Sequence, residues 1–246
     1  MPNYRFTLEY DGAGFAGWQA QAGDQRTVQD EFEAAIERVT GQRLRVAGAG
    51  RTDAGVHAQG QVASAQISTQ LSPSVLKRAL NQCMPRDLAV VDAERVADDF
   101  HARFSAVGKL YCYRVWNAET RSPLRSARSH WVARELDVAA MSRAAEAFLG
   151  LHDFAALQAA GSDVESTLRT VKRLEVELEA PRELAFWAEA DGFLRHMVRN
   201  LVGTLLEVGS GRRPVESMTE LLACGDRRRA GPTAPAAGLT LVRVFY

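Results

Sequence analysis

Half of the stretch AGAGRTDAGVHAQGQVAS, residues 47–64, is glycine and alanine, and it contains a single carboxylate, Asp53. Strand-like patterns at 43–48 and 60–67 flank its centre, so we predict that the centre is a loop between two strands. Small side chains let a backbone turn tightly and let a ligand approach closely. The stretch therefore predicts a strand-loop-strand unit that presents Asp53 to a ligand.

Around this unit, the first half of the sequence alternates strand and helix patterns. The predicted elements are a strand at 4–12 that runs into an Asp-Gly turn, a helix with Thr27 as N-cap that ends at Gly41, a helix from Ser72–Pro73 to Asn81, and a strand at 88–96. Together with the two strands beside the loop, they give the order β-α-β-β-α-β. This order is that of the ferredoxin-like fold.

The second half repeats a similar order of elements. The predicted elements are strands at 109–117 and around His130-Trp131, a helix at 137–149, an antiparallel pair at 168–179 and 183–190, a long helix at 191–209, a short helix at 214–223 and a last strand, LTLVRVFY, at 239–246. We therefore predict an α+β protein with two ferredoxin-like halves, 1–105 and 106–246. Their strands would form a largely antiparallel sheet with helices on one face and a central cleft for the active site.

The composition predicts an ordinary globular protein of the cytoplasm. Of the 246 residues, 46% are hydrophobic and 24% are charged, and no apolar run is long enough to span a bilayer. The stretch MPNYRFTLEYDG lacks the layout of a signal peptide. The three cysteines are widely spaced and form no CxxC motif, so we expect neither a disulfide framework nor a zinc site.

Arginine dominates the basic residues although the net charge is zero. Of 30 basic residues, only Lys77, Lys109 and Lys172 are lysines. The guanidinium group pairs with phosphate and stacks on bases, which an ammonium group does not. Arginines cluster between Phe100 and Trp131 and again in the run 227–229. The clusters are either solvated faces or a positive surface for a polyanion such as nucleic acid.

Asp53 has more than one interpretation from the residues alone. It can be a turn aspartate that hydrogen-bonds its own backbone. It can pair with His57 as two ligands of a metal, although no third ligand lies nearby in sequence. The segment GAGRTDAG can also be compared with a phosphate-binding loop, but it lacks the Lys-Ser/Thr end of that motif.

Two further pairs of residues carry the same ambiguity. Tyr111 and Tyr113 share one face of a predicted strand, so each is either a core residue or a ring that stacks on a base. Arg195 and Arg199 lie four residues apart on the predicted long helix, beside an apolar stripe. They either extend into water or bury one guanidinium that needs a carboxylate partner, for which Asp53 is a candidate.

The sequence resembles the TruA-type tRNA pseudouridine synthases over nearly its whole length. GRTDAGVHA at 50–58 looks like their signature, although the first loop reads YDGAG where the family often has Thr after the Gly. The other similar motifs, in the same order, are YDG (10–12), GWQAQ (17–21), TVQ (27–29), ALN (79–81), FHARFSA (100–106), KLYCY (109–113), HDF (152–154), GFLRHMVRNLVGTLLEVG (192–209) and GLTLV (238–242).

The resemblance implies an isomerase that converts uridine to pseudouridine at positions 38, 39 and 40 of the anticodon stem-loop of tRNA, without a metal or cofactor. It implies that Asp53 is the catalytic residue, as nucleophile or as base, and that Tyr111 stacks on the target uracil. Arg199 would pair with the aspartate, and Arg51 would fill the gap left by the flipped base. The family is dimeric, so a homodimer that binds tRNA is expected.

Two other classes of protein remain as alternatives. A non-catalytic RNA-binding protein of the same fold would be expected to lack the aspartate of the GRTD motif, which is present here as Asp53. A metal-dependent hydrolase would use Asp53 together with His57, and its activity would be lost on chelation.

Overall fold

The structure, a computed structural model, describes residues 1–20, 25–161 and 164–246. Its strands and α-helices occur in the order β1 (Asn3–Tyr10), α1 (Val28–Thr40), β2 (Ala47–Gly48), β3 (His57–Gln66), α2 (Pro73–Cys83), β4 (Leu88–Val96), β5 (Gly108–Asn117), β6 (His130–Val132), α3 (Val138–Glu146), β7 (Gly150–Asp153), β8 (Leu168–Ala180), β9 (Glu183–Ala190), α4 (Met197–Gly209), α5 (Ser217–Cys224) and β10 (Leu239–Phe245). The chain divides into two compact units, Met1–Val107 with Thr240–Tyr246, and Gly108–Leu239. The helices and the mainly antiparallel strand pairs of each unit confirm the predicted α+β class.

The first unit contains the strand order β4-β1-β3, in which each neighbouring pair is antiparallel. β2 pairs antiparallel with the end of β3, at Ala63 and Ser64, and β10 pairs parallel with its beginning, at His57 and Ala58. Because β3 lies between β1 and β2, this is the split β-α-β arrangement. The sequence-based division placed the last strand in 106–246, but in the structure it groups with the first unit.

The core of the first unit lies between β1 and the two helices. Tyr4, Phe6 and Leu8 alternate along β1 and are fully buried. The ring of Phe6 meets that of Phe32 on α1 edge to face, with 5.2 Å between centroids. The apolar face of α2 is buried as well. The period-two pattern of β1 therefore faces the apolar stripe of α1.

α1 begins and ends at the residues that the sequence predicts. The Thr27 hydroxyl accepts a hydrogen bond from the backbone nitrogen of Asp30, 3.2 Å away, and donates to the Asp30 carboxylate at 2.6 Å. Gly41 ends the helix in the left-handed conformation, with φ of 72°.

The second unit contains the strand order β5-β9-β8-β7, again antiparallel throughout, and β6 pairs parallel with β5. α3 packs against α4 and β8. The strand β7 was not predicted, because its four residues are too few to show an alternating pattern. α3 ends at Glu146 rather than 149, since Phe148 and Leu149 turn back with bonds to the carbonyls three residues earlier.

The long helix predicted at 191–209 is six residues shorter in the structure. Asp191 still belongs to the sheet edge, because its backbone nitrogen donates to Thr170 O at 3.2 Å and its carboxylate accepts from Thr170 N at 3.0 Å. His196 then adopts a left-handed conformation with φ of 60°, and α4 begins at Met197. Arg195 therefore lies outside the helix, and the prediction that it shares a helix face with Arg199 is wrong.

The strand predicted at 43–48 is also shorter, since β2 contains only Ala47 and Gly48. The backbone nitrogen of Val46 donates to the carboxylate of Glu33 on α1 at 3.0 Å, so this residue bonds to a helix side chain instead of a neighbouring strand. β3 begins at His57, three residues earlier than predicted. Within the described ranges, no helix combines the length and the apolar character needed to cross a bilayer.

Candidate active site

The loop that carries Asp53 spans residues 49–56 of the first unit, between β2 and β3. Its backbone is held by the segment 11–20. Trp18 N donates to Thr52 O at 3.0 Å, and Gly55 N donates to Phe15 O at 3.3 Å. Val56 N closes a turn onto Asp53 O at 3.1 Å, and Asp53 itself is half-buried. The carboxylate is thus attached to a backbone that is fixed on both sides.

Two glycines of the segment 11–20 allow this close contact. A Cβ on Gly12 would lie 2.0 Å from Val56 O, and a Cβ on Gly17 would lie 2.7 Å from Thr52 O. Gly17 also has a φ of +104°, which side chains disfavour. The motifs YDG and GWQ, which are separate from GRTD in sequence, therefore form the support of the Asp53 loop.

Buried polar side chains form hydrogen bonds with the loop. The hydroxyl oxygens of Tyr10 and Thr52 are 2.8 Å apart, and Gln61 donates to Gly50 O at 2.8 Å. Burial raises the pKa of Tyr10 to about 12, so its hydroxyl stays protonated. These bonds fix both ends of the short run from Gly50 to Thr52.

Arg51 points to the surface of the same loop. Its side chain is exposed, and its Nε donates to the Gln19 side chain at 3.1 Å. Gln19 belongs to the GWQAQ motif, whose last residue, Gln21, lies outside the described residues. The loop therefore carries one half-buried carboxylate and one exposed guanidinium two residues apart.

His57, the second candidate of the metal hypothesis, has a structural role. It is buried at the start of β3, and its Nδ1 lies 3.1 Å from both the backbone nitrogen of Gly12 and Oδ1 of Asp11. The imidazole thus joins β3 to the Asp11-Gly12 turn. Residues 1–20, 25–161 and 164–246 contain no group of three or more His, Cys, Asp or Glu side chains arranged to hold a metal ion.

The two tyrosines of β5, in the second unit, differ although they share a strand face. Tyr113 is fully buried, and its hydroxyl donates to Pro235 O at 2.9 Å. Burial raises the pKa of that hydroxyl well above its ordinary value. Tyr111 retains 7% of its surface, and its ring meets that of Phe193 edge to face at 5.2 Å. Core packing therefore accounts for Tyr113.

Arg199 is the third residue of α4 and is half-buried, whereas most of that helix is buried. Its Nε donates to Ala234 O at 2.7 Å, and its own carbonyl accepts from Ala234 N at 3.1 Å. The segment 230–238, which we call the Ala234 segment, is therefore joined to Arg199 by both its backbone and its side chain. These two bonds hold the Nε end of the Arg199 guanidinium in place.

A polar network next to Arg199, which the sequence analysis missed, holds the Ala234 segment. Asn200 is fully buried, and its side-chain oxygen accepts from Thr233 Oγ1 at 2.7 Å and from Arg227 at 3.0 Å. Arg227 also donates to Gly231 O at 2.9 Å, and Gly231 N donates to Thr204 Oγ1 at 3.0 Å. The only sequence signal for it was the run of arginines 227–229, which we interpreted as surface charge.

The other two arginines of that run are exposed and bind acidic neighbours. Arg228 pairs with Asp226 at 2.8 Å, and Arg229 pairs with Glu220 at 2.6 Å. Outside the run, Arg195 donates to the carbonyls of Ala160 and Gly161. The predicted site residues thus lie on three elements. Arg51 and Asp53 lie on the loop 49–56 of the first unit, and in the second unit Tyr111 lies on β5 and Arg199 on α4.

Comparison with known proteins assigns the chain to a family. The sequence profile of the family described as tRNA pseudouridine synthase matches residues 7–105 and 144–246. A tRNA pseudouridine synthase A of Myxococcus xanthus is 49% identical over 247 residues, which cover 100% of this chain and 92% of the relative. A second, of Solidesulfovibrio magneticus, is 48% identical over 251 residues with the same two coverages. The tRNA pseudouridine synthase A 2 of Clostridium perfringens is 41% identical over 246 residues, covering both chains completely.

These matches define one class of enzyme, the isomerases that convert uridine into pseudouridine. The chain belongs to the tRNA pseudouridine synthase family. The resemblance inferred from GRTDAGVHA and the motifs around it is confirmed.

Proposed function

We propose that the protein isomerises uridine to pseudouridine at positions 38, 39 and 40 of the anticodon stem-loop of tRNA, with Asp53 as its catalytic residue. The observation that carries this proposal is the Asp53 loop itself. Its carboxylate is half-buried on a backbone that Trp18 and Phe15 hold through hydrogen bonds. A reacting group needs such a fixed position, because small misplacements are costly for catalysis. Membership of the family supports the reaction.

The reaction needs few groups because it conserves atoms. The bond between N1 of uracil and C1′ of ribose breaks, the uracil turns, and a bond forms between C5 and C1′. C5 loses a proton and N1 gains one, so nothing is oxidised or reduced. Asp53 either attacks the sugar as a nucleophile or removes a sugar proton as a base; both roles require an ionised carboxylate.

The other three residues have supporting roles in this proposal. Tyr111 stacks on the target uracil, and its edge-to-face contact with Phe193 supports a fixed ring orientation. Arg199 pairs with the catalytic carboxylate and orients it, a role for which the hydrogen bond from its Nε to Ala234 O provides a fixed starting position. Arg51 fills the space left by the flipped base, for which a long and exposed side chain is suited.

Exposed arginines support a tRNA substrate. Arg121, Arg128 and Arg134 are exposed within one segment of the second unit. Such a segment can neutralise RNA phosphates although the net charge of the chain is zero.

We further propose that the protein acts as a homodimer in the cytoplasm, on the basis of its resemblance to the family. Sedimentation of the purified protein tests the dimer.

The experiment uses tRNA transcripts whose uridines carry tritium at C5. Each of three transcripts has uridine at only one of the positions 38, 39 and 40, and cytidine at the other two of these positions. Formation of pseudouridine releases the C5 tritium, so each of the three should release it, and mapping should find pseudouridine at that position. A transcript with cytidine at all three positions is the control. As much release from the control as from the three transcripts, or no release from any of the three, would contradict the proposal.

A further inference from the structure

The motif FHARFSA, residues 100–106, has no role in the site described above, yet it presents an unusual side chain. Phe104 in the first unit is 76% exposed. A single exposed apolar side chain is ordinary at a protein surface, so a binding role is indicated only by what holds and surrounds the ring. The ring belongs to the turn formed by residues 101–105, which we call the Phe104 turn.

The Phe104 turn is rigid because its polar groups bond to one another. Nδ1 of His101 accepts from the backbone nitrogens of Arg103, at 3.1 Å, and Phe104, at 3.3 Å. The backbone nitrogen of His101 donates to Ser105 Oγ at 3.0 Å, and Ser105 N returns a bond to His101 O at 2.9 Å. The imidazole of His101 therefore acts as a cap for the turn, in a fixed orientation.

The turn is also anchored to the rest of the first unit through Ala102, which is fully buried. Ala102 N donates to Ser64 Oγ on β3 at 3.0 Å, and Ala102 O accepts from the Tyr246 hydroxyl at 2.8 Å. The backbone on both sides of Phe104 is thus fixed without any contribution from the Phe104 ring. The exposed position of this ring is therefore built into the fold.

The ring of Phe104 has partners that suit a stacked aromatic group. The imidazole of His101 lies 4.4 Å from it between centroids, with 33° between the planes. The guanidinium carbon of Arg103 lies 5.5 Å from the ring centroid. A protein that binds single-stranded nucleic acid combines such rings with cationic side chains, since every base can stack on an aromatic face.

We propose that Phe104, backed by His101 and flanked by Arg103, is a stacking site for an unpaired base of the tRNA substrate. The inference rests on the proposed function for its ligand. Bases within a helix are already stacked on their neighbours, whereas loop bases are free to stack on a protein ring. The exposed Asp98 and Asp99 precede the turn and oppose phosphate contacts there. Stacking, rather than charge, is therefore the source of affinity at this site.

The test measures the dissociation constant of unmodified tRNA transcript for four variants. Phe104→Ala should weaken binding about 5- to 150-fold, the range that corresponds to the loss of one stacked base. Phe104→Trp should bind like the wild type, and Phe104→Leu should resemble Phe104→Ala, because it is apolar but has no ring. Val107→Ala is the control, since Val107 is also exposed, at 56%, and lies three residues away. Both side chains are mostly exposed, so all four variants should melt near the wild-type temperature.

Two further readouts separate stacking from other roles. The slope of log Kd against log salt should be the same for Phe104→Ala and the wild type, because no phosphate contact is lost. Sedimentation should show the same oligomeric state for both. The proposal is overturned if Phe104→Ala binds within about twofold of the wild type, if Phe104→Leu restores binding as well as Phe104→Trp does, or if Phe104→Ala changes self-association instead. These results are independent of whether the wild type forms pseudouridine, which the tritium assay tests separately.

Discussion

The loop 49–56 carries Asp53, and the Ala234 segment binds Arg199. Different interactions keep these two segments in place. The Asp53 loop lies against the segment 11–20 through backbone hydrogen bonds and glycines that leave no room for a side chain. The Ala234 segment is held by side chains, chiefly Asn200 and Arg227. A side chain added at a glycine of such a backbone contact has no space and must push the two backbones apart. A substitution in the polar network removes only the hydrogen bonds of the residue that is changed. The two regions should therefore respond differently to mutation.

The largest expected effect is that of Gly12→Ala. Its Cβ would lie 2.0 Å from Val56 O and 2.4 Å from Val56 C, so two backbones must separate. We expect a loss of about 3 kcal/mol in the free energy of unfolding, measured in urea. Gly14→Ala is the matched control, because a Cβ there meets only the ends of the Arg26 and Asp87 side chains, at 3.3 and 3.4 Å. Equal losses for the two variants would contradict the steric account of the loop.

A smaller effect is expected from Arg227→Ala. The change removes charged hydrogen bonds to Gly231 O and the Asn200 side chain, so the free energy of unfolding should fall by about 2 kcal/mol. The adjacent Arg228→Ala removes only a surface pair with Asp226 and should leave the urea midpoint unchanged. If Arg228→Ala is the more damaging of the two, the network does not hold the segment.

Substitutions of the two tyrosines of β5 should affect different properties: stability at Tyr113 and turnover at Tyr111. Tyr113→Phe loses the bond to Pro235 O and should cost about 1 kcal/mol of stability, with turnover unchanged. Tyr111→Phe should keep a near-wild-type melting temperature and tRNA affinity but lose most of its turnover. This loss is the result expected if the hydroxyl joins the final proton transfer in addition to the stacking of the ring. Tyr111→Leu should also weaken engagement of the flipped base. Equal turnover losses at 111 and 113 would show that the wrong ring has been assigned to the site.

The smallest effect concerns a surface arginine that neither region uses. Arg121→Ala should weaken tRNA binding a few-fold and reduce the slope of log K against log salt by about 0.7 to 0.9, the value for one phosphate contact. Melting temperature and turnover at saturating tRNA should not change. A slope equal to that of the wild type would show that Arg121 is a solvated side chain without a phosphate partner.

The difference between the loop 49–56 and the Ala234 segment also explains which parts of the site could be predicted from the sequence. Glycines and a lone carboxylate are visible as letters, so the strand-loop-strand unit and Asp53 as its candidate residue were predicted from residues 47–64. The network around Asn200 was not, because its members are distant in sequence and polar residues carry no periodic signal. The start of α4 was misplaced for a related reason. The apolar spacing before Met197 fits a helix, but the sheet contact of Asp191 with Thr170 and the left-handed backbone of His196 exclude it.

The most direct test of the account is the turnover of Asp53→Asn on tRNA tritiated at uridine C5, measured at saturating tRNA beside its dissociation constant. Asparagine fits the same space but can neither attack the sugar nor accept its proton. We predict tritium release below about one per cent of the wild type, with tRNA affinity and melting temperature nearly unchanged. Release above a few per cent of the wild type by a correctly folded Asp53→Asn would contradict the assignment of Asp53 as the catalytic residue.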